Sequence, residues 1–191
     1  MNKLNSLDPR EQLIELVNDL AVVKGDVVLS SGKHADYYID LRRITLHHQA
    51  SPIVGHLLLD LLEENGFIAG DSFTSVGGLT MGADPVACSM LHAAYSRGID
   101  LDAFLVRKNA KEHGMQRQIE GPDIQGRSVI IVEDTTTTGN SPIAAIEAAR
   151  NNGAEVVACA TIVDRATGAS QRIEDLGIPY FSLLSLHDIK L

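Results

Sequence analysis

The sequence has few cysteines and no long apolar run. Its two cysteines, Cys88 and Cys159, stand in apolar stretches, where small core side chains are the ordinary interpretation and a disulfide framework is excluded. No apolar run reaches the ~18 residues that a membrane-spanning helix needs. The N-terminal stretch MNKLNSLDPREQ has no apolar signal core. These absences predict a cytoplasmic protein.

Positive charge is also scarce. The sequence has 16 Lys and Arg against 25 Asp and Glu, a formal net charge of -9. Such a surface disfavours non-specific binding to nucleic acid or to anionic membranes, and it makes any local basic cluster informative. The length of 191 residues and the hydrophobic content of 45% predict one folded domain with a sizeable core.

Short apolar runs alternate along the chain with segments of helical periodicity. Predicted strands cover 27–29, 37–39, 73–76, 103–106, 129–132 and 156–163, and predicted helices cover a segment capped by Asp8, then about 52–64, 84–96 and 142–151. This alternation predicts an α/β fold in which a mainly parallel sheet is flanked by helices. Residues 107–127 are polar and lack either period, so we expect a loop there without secondary structure.

The stretch VEDTTTTGNSP predicts an anion site, although the chain lacks the GxGxxG and GxxxxGK[ST] patterns. Ser141 and Pro142 are typical of a helix start, where free amides and the helix dipole favour a phosphate. Gly139 lets the backbone turn closely around it. Glu133 and Asp134 can accept hydrogen bonds from adjacent ribose hydroxyls. One ligand with a diol and a phosphate fits this pattern; the alternative is an ordinary strand-to-helix loop.

A basic cluster lies in the expected loop. Its members are Arg107, Lys108, Lys111, His113 and Arg117. In an acidic protein this cluster predicts a polyanionic ligand. The alternatives are a solvated basic face or a nucleic-acid patch, but the cluster is short, follows a predicted buried strand and lacks aromatic residues for stacking.

Four segments resemble known enzymes. VIIVEDTTTTGNS resembles the phosphoribosyl-diphosphate signature of the type I phosphoribosyltransferases. LVRKNAKEHGMQRQIEG resembles the mobile catalytic loop of the orotate phosphoribosyltransferase branch, SSGKHADYYIDLRR its N-terminal hood, and VDRATGA its orotate-contacting segment. The resemblance implies the type I phosphoribosyltransferase fold, with residues 1–191 as one domain and about 1–45 forming a small hood. It also implies the transfer of a phosphoribosyl group from 5-phosphoribosyl 1-diphosphate to orotate, a step of pyrimidine biosynthesis.

The resemblance also implies roles for individual residues. The catalytic residues would be Lys111, Glu133 and Asp134, with Lys111 serving the neighbouring subunit of a homodimer that shares its active sites. Phosphoribosyl diphosphate would be bound by Arg107, Lys108, Lys111, His113, Glu133, Asp134, Thr135, Thr136, Thr137, Thr138, Gly139, Asn140 and Ser141. Orotate would be bound by Thr137, Arg165, Tyr37 and Tyr38. A Mg²⁺ ion would bridge diphosphate and ribose oxygens, and no protein side chain is predicted as its ligand.

Several alternatives stay open at this point. Arg165 could form a structural salt bridge with Asp164, and the two tyrosines could be plain strand packing. Ser30 and Met81 stand where the family usually has lysines, so other residues must supply that charge; Lys33 is one candidate. Two other functions stay open: a purine-type phosphoribosyltransferase, and a phosphoribosyl-diphosphate sensor that binds RNA. The net charge of -9 disfavours RNA binding.

Overall fold

The computed structural model describes residues 7–28, 34–108 and 118–191 of the chain. The helices are α1 (Pro9–Leu16), α2 (Arg42–Thr45), α3 (Ala50–Glu64), α4 (Ala83–Ser96), α5 (Asn140–Asn151) and α6 (Ala169–Glu174), with a π-helical turn at Val17–Ala21 and a 3-10 turn at Leu186–Asp188. The strands are β1 (Val22–Val28), β2 (His34–Ile39), β3 (Ser75–Leu79), β4 (Asp102–Val106), β5 (Ile119–Glu120), β6 (Ser128–Thr136), β7 (Glu155–Asp164) and β8 (Tyr180–Ser185). Within these ranges no helix is both long and apolar enough to cross a membrane.

Six strands form one sheet in the order β5-β4-β3-β6-β7-β8. All neighbours pair in parallel except β4 and β5, which are antiparallel. The predicted α/β fold with a mainly parallel sheet is therefore confirmed. Consecutive parallel strands place their carboxyl ends at one edge, where the loops that bind ligands in such sheets are found.

The apolar run of β6 explains why the sheet is covered on both faces. Ile130 and Val132 pack with α1, α3 and α4 in one core cluster. Val129 and Ile131 pack with α5 in a second cluster on the opposite face. All four side chains are fully buried, as expected for a strand whose neighbours lie on both sides of the sheet.

The hood is a separate antiparallel pair formed by β1 and β2. Lys24 lies opposite Tyr37, and Val22 lies opposite Ile39. Ile39, Leu41 and Ile44 are buried in the core cluster of α3 and α4, which anchors the end of the hood to the sheet domain.

The side chain of Asp8 caps α1 by accepting hydrogen bonds from the Arg10 and Glu11 amides, as predicted. The single-domain assignment over 1–191 stays a prediction.

Four expectations from the sequence were wrong. Residues 107–127 were expected to lack secondary structure, but β5 pairs with the end of β4. The strand at 129–132 was expected to end before the acids, yet β6 continues to Thr136 because its last residues pair with β7. The helix at 142–151 begins earlier, after Gly139, and Ser141 does not cap it. Cys88 was expected in the core, whereas it is exposed on α4; Cys159 is buried as predicted.

Candidate active site

The candidate site lies at the carboxyl ends of β3, β6 and β7. Gly82, which follows β3, approaches the acid pair of β6 so closely that a Cβ atom there would lie 2.6 Å from Glu133 Oε1 and 2.8 Å from Asp134 Oδ1. Only glycine allows this approach without moving the carboxylates. The loop after β3 therefore closes one side of the acid pair, at the sheet edge where ligands of parallel α/β folds bind.

The two acids are more buried than their place in the sequence suggested. Glu133 is only 5% exposed, and burial together with the charge of Asp134 raises the Glu133 pKa to about 9. Burial also raises the pKa of Asp134. The strand predicted at 129–132 left both acids beyond its end, whereas Glu133 is buried within β6. An acid pair in this setting is poorly solvated when ionised, so it favours ligands that bring hydroxyl donors or positive charge.

Backbone and hydroxyl groups fix the orientation of the acids. The Asp134 amide donates to Glu133 Oε1 at 3.1 Å, and the Thr135 amide donates to Asp134 Oδ1 at 2.6 Å. The Thr161 hydroxyl on β7 donates to the Glu133 carbonyl oxygen at 3.2 Å. The acids are thus held by their own strand and its neighbour before any ligand binds.

Two further charged groups near the acids were missed in the sequence. Asp84, at the start of α4, has a buried Oδ1 without a hydrogen-bond partner in the described part of the chain. Burial raises the pKa of Asp84, and its charge adds to the rise in the Glu133 pKa. The charge of Arg42 partly offsets the rise in the Asp134 pKa. The Arg42 Nε donates to Asp40 Oδ1 at 2.8 Å. Asp84 follows Gly82 in the sequence, and Arg42 belongs to the quoted hood segment, so proximity to these motifs was the available signal.

The turn between β6 and α5 leads into a helix whose first backbone amides have no side-chain cap. Gly139 has φ 78°, a left-handed conformation that favours glycine, and it caps α5 without help from a side chain. The first amides of a helix lack carbonyl partners, so those of Asn140 and Ser141 are available to an anion. Thr137 and Thr138 are exposed beside them. We call residues 137–141 the phosphate turn.

Thr136 lies just before the phosphate turn but faces away from it. Its buried hydroxyl shares a 2.6 Å hydrogen bond with the Tyr180 hydroxyl of β8, and it donates to Asp164 Oδ1 at 3.5 Å. Its carbonyl oxygen accepts a hydrogen bond from the Arg165 amide at 3.0 Å. Thr136 therefore connects the end of β6 to the end of β7 and to the first residue of β8. Tyr180 was missed because no local pattern around it suggests a link to the turn.

The hood and the end of β7 meet at the predicted base pocket. The Arg165 guanidinium carbon lies 5.8 Å from the centre of the Tyr37 ring, within range of a cation–π contact. Asp164 accepts from the Ala166 amide at 2.9 Å, and Arg165 forms no ion pair with it among the described residues. The structure thus brings Arg165 and Tyr37 together. Tyr38 is half-buried and neighbours Tyr37 on β2.

The described part of the basic cluster lies at the end of β4. The Arg107 amide donates to the Gln118 carbonyl oxygen at 2.8 Å, and its guanidinium contacts Glu120 Oε1 at 3.3 Å. Lys108 is exposed next to it. Lys111, His113 and Arg117, together with Ser30 and Lys33, lie outside the described residues. The expected motion of this loop as a lid also lies outside them.

The last residue missed in the sequence is Arg172 on α6. Its Nη1 donates to the Thr138 carbonyl oxygen and, at 2.8 Å, to Asn140 Oδ1. These acceptors stand on either side of Gly139. Nothing in the sequence around Arg172 indicates that α6 would fold back onto the phosphate turn.

Comparison with known proteins agrees with this geometry. Residues 42–179 match the phosphoribosyl transferase domain. The chain is 62% identical to the orotate phosphoribosyltransferase of Streptomyces coelicolor over 174 residues, 91% of this chain and 92% of that protein. It is 55% identical to that of Corynebacterium glutamicum over 190 residues, 100% of this chain and 98% of that protein. The chain belongs to the orotate phosphoribosyltransferase family.

Solved structures of the family have the same fold. The orotate phosphoribosyltransferase of Mycobacterium tuberculosis, crystallised in complex with 5-phospho-α-D-ribosyl 1-diphosphate, superimposes with a TM-score of 0.81 at 47% identity. The match covers 96% of this chain and 99% of that one. A Corynebacterium diphtheriae phosphoribosyltransferase gives a TM-score of 0.84 at 51% identity, covering 97% and 100% of the two chains. The resemblance of the acid pair and the phosphate turn to the family signature is therefore part of a similarity over nearly the whole chain.

We predict that Glu133→Gln changes how the stability of the unliganded protein depends on pH. The Glu133 pKa is raised from 4.5 to about 9 in the folded state, so the folded protein binds more protons than the unfolded chain between these values. Its free energy of unfolding should therefore fall as pH rises through this window. Glutamine removes the ionisation, so at pH ~8 the variant should be more stable than the wild type, by roughly 4–5 kcal/mol.

Denaturant unfolding at a series of pH values measures this effect. Glu147→Gln, at an exposed position on α5, is the matched control and should leave the pH profile unchanged. A Glu133→Gln profile parallel to that of the wild type would contradict the assignment of a raised pKa to Glu133.

Proposed function

We propose that the chain transfers the 5-phosphoribosyl group of 5-phosphoribosyl 1-diphosphate to orotate, giving orotidine 5′-phosphate and diphosphate. The observation that carries the proposal is the meeting of three features at one sheet edge: the acid pair of β6, the phosphate turn before α5, and Arg165 beside Tyr37. The acid pair suits a diol, the phosphate turn suits a phosphate, and Arg165 beside Tyr37 suits a planar ring with a carboxylate. Relatives named orotate phosphoribosyltransferase, up to 62% identical, support the same reaction.

The acid pair would bind the ribose ring. Its hydroxyl groups are hydrogen-bond donors, and the carboxylates of Glu133 and Asp134 are acceptors already oriented by backbone amides. In the transfer, the bond from ribose C1 to the diphosphate oxygen loosens before the orotate nitrogen attacks. Positive charge then develops on the ribose ring, and carboxylates close to it stabilise that charge.

The phosphate turn would bind the 5′-phosphate. The amides at the start of α5 and the dipole of that helix favour a dianion. Thr137 and Thr138 have exposed hydroxyls that can donate as well. We assign Thr135, Thr136, Gly139, Asn140 and Ser141 to the same site; because the Thr136 side chain is bonded to Tyr180, its contribution would come from the backbone.

The basic cluster would bind the diphosphate leaving group. Arg107 and Lys108 leave the end of β4 at the same edge of the sheet as the acid pair. Lys111 and His113 follow in the sequence and would complete the set. As the bond to ribose C1 breaks, negative charge accumulates on the diphosphate, and these cations would stabilise it. Lys111 is proposed as the catalytic cation, and a closed loop would exclude competing water.

Magnesium is the proposed metal. The groups that face the ligand are carboxylate oxygens, which Mg²⁺ prefers, and Asp84 adds a buried oxygen without a hydrogen-bond partner among the described residues. When bound, the ion would neutralise charge on the departing diphosphate.

The orotate pocket would be formed by Arg165, Tyr37, Tyr38 and Thr137. Arg165 can pair with the orotate carboxylate through two parallel hydrogen bonds, because no described acid is already paired with its guanidinium. The Tyr37 ring lies against Arg165 and would offer a flat surface to the pyrimidine. A carboxylate-binding arginine favours orotate over purine bases, which carry no carboxylate.

We predict that Arg165→Ala raises the KM for orotate by about 30- to 100-fold and leaves the KM for phosphoribosyl diphosphate nearly unchanged. The expected loss corresponds to about 2–3 kcal/mol for a charge-assisted contact. The assay is the loss of orotate ultraviolet absorbance, run with and without Mg²⁺. Arg10→Ala, an exposed arginine on α1, is the control and should behave like the wild type.

Two outcomes of this assay would contradict the proposal. Consumption of adenine or hypoxanthine in place of orotate by the wild type would favour a purine-type enzyme. Equal effects of Arg165→Ala on both substrates would remove Arg165 from the base pocket. The RNA-binding sensor would instead be favoured by the absence of any transfer together with RNA binding.

The proposed assembly is a homodimer in which the basic loop of one subunit serves the site of the other. Large apolar side chains are exposed near the site: Met81, next to Gly82, is 69% exposed, and Leu46 is 75% exposed. Leu46 also lines a surface cavity of about 570 Å³ with Pro85 and Cys88. Exposed apolar surface of this kind is commonly covered by another chain.

The expected cytoplasmic location stays a prediction.

We predict that the Lys111→Ala and Arg165→Ala homodimers, each nearly inactive at an orotate concentration far below the raised KM of Arg165→Ala, regain activity when mixed and allowed to exchange subunits. If the loop acts in trans, one site of the mixed dimer contains Arg165 from one chain and Lys111 from the other, and it is intact. If the loop acts in cis, both sites still lack one residue. Recovery is measured by orotate absorbance, and subunit exchange is confirmed independently by mass. Exchange without recovered activity would disprove the shared site.

A further inference from the structure

Arg172 contacts the phosphate turn from α6. Its Nη1 donates to the Thr138 carbonyl oxygen and to Asn140 Oδ1, the latter at 2.8 Å. Gly139 lies between these two acceptors, and a Cβ atom on it would lie 3.4 Å from Ala169, the first residue of α6. The start of α6 and its arginine therefore support the same peptide group of the turn.

The position of the Thr138 carbonyl has a direct consequence for the next amide. The Thr138–Gly139 peptide bond is trans and planar, so its C=O and N–H point in opposite directions. A guanidinium that fixes the carbonyl on the α6 side of the turn consequently aims the Gly139 N–H away from α6. That amide donates to no acceptor among the described residues, which leaves it available to an anion.

The turn depends on such support because no side chain of its own residues fixes the Thr138–Gly139 peptide. Gly139 has φ 78° and no side chain to fix it, and α5 lacks a side-chain cap that would tie down its first amides. Asn140, the first residue of α5, directs its side-chain oxygen to Arg172 instead of to the helix amides. Arg172 has only donors, so it leaves the first amides of α5 free while it fixes the Thr138 carbonyl and the Asn140 side chain. Its positive charge adds to the potential that favours a phosphate.

We propose that Arg172 is a positioning residue for the 5′-phosphate of the substrate, acting through the Thr138–Gly139 peptide. The proposal rests on the assignment of the phosphate turn made under the proposed function, and it adds a residue that lies outside the signature segment. Arg172 orients the Gly139 amide before the ligand binds, so that the ordering of this peptide is not left to the binding step.

The test compares three variants. Arg172→Ala should weaken the binding of ribose 5-phosphate and raise the KM for phosphoribosyl diphosphate, each by about tenfold, with no change in the KM for orotate. Arg172→Lys, which keeps a cationic donor, should recover most of this loss. Arg150→Ala is the matched control, because Arg150 is also exposed and donates to a backbone carbonyl, that of Leu176 at 3.3 Å, away from the turn.

Calorimetric titration of ribose 5-phosphate, thermal unfolding and steady-state kinetics provide the readouts. Unchanged binding of ribose 5-phosphate in Arg172→Ala would overturn the proposal. A parallel rise in both KM values with a lowered melting temperature would also overturn it, since that pattern indicates general structural support.

A fourth variant separates this proposal from the assignment of the turn itself. Ser141→Asp places a carboxylate on the second residue of α5, where it is compatible with the helix but repels a phosphate. If it abolishes ribose 5-phosphate binding while Arg172→Ala does not, only the role of Arg172 fails. If Ser141→Asp binds like the wild type, the phosphate lies elsewhere and both assignments fail.

Discussion

The site depends on the burial of two adjacent carboxyl groups at the end of β6. An ionised carboxylate loses much of its solvation when buried, and two neighbours also repel each other. Both effects raise the pKa of Glu133, and burial raises the pKa of Asp134. Such an arrangement lowers the stability of the unliganded protein at neutral pH. A ligand that supplies hydroxyl donors or positive charge offsets this cost, so the acid pair favours the proposed phosphoribosyl diphosphate and Mg²⁺.

The same strand sets the distances between the three parts of the site. β6 carries the acid pair and ends at Thr136, whose carbonyl oxygen binds the Arg165 amide and whose hydroxyl shares a hydrogen bond with Tyr180. The phosphate turn begins at the next residue, and Arg172 supports it from α6. The acid pair, the proposed phosphate site and the proposed base pocket are thus tied to the ends of neighbouring strands, and Tyr37 of the hood lies beside Arg165.

Local patterns in the sequence predicted what depends on local chemistry. The Asp8 cap, the parallel sheet and the grouping of the acids with the phosphate turn all follow from short segments. The burial of Glu133 could not be predicted in this way, because Glu133 pairs with Thr161 of β7 and Gly82 packs closely against its carboxylate. β5 likewise exists only through its contact with β4. Tyr180 and Arg172 reach the site across the sheet and from α6, so no spacing along the chain indicates their role.

The central claim is that ligand binding restores the charge of the buried acid pair. It is tested by the number of protons released when phosphoribosyl diphosphate with Mg²⁺ binds at pH ~8, where phosphate groups are already ionised. Titration calorimetry in two buffers of different ionisation enthalpy gives this number. The wild type should release protons, because binding favours the ionised form of Glu133, and Glu133→Gln should release fewer. Equal proton release by the two proteins, or none by the wild type, would contradict the account.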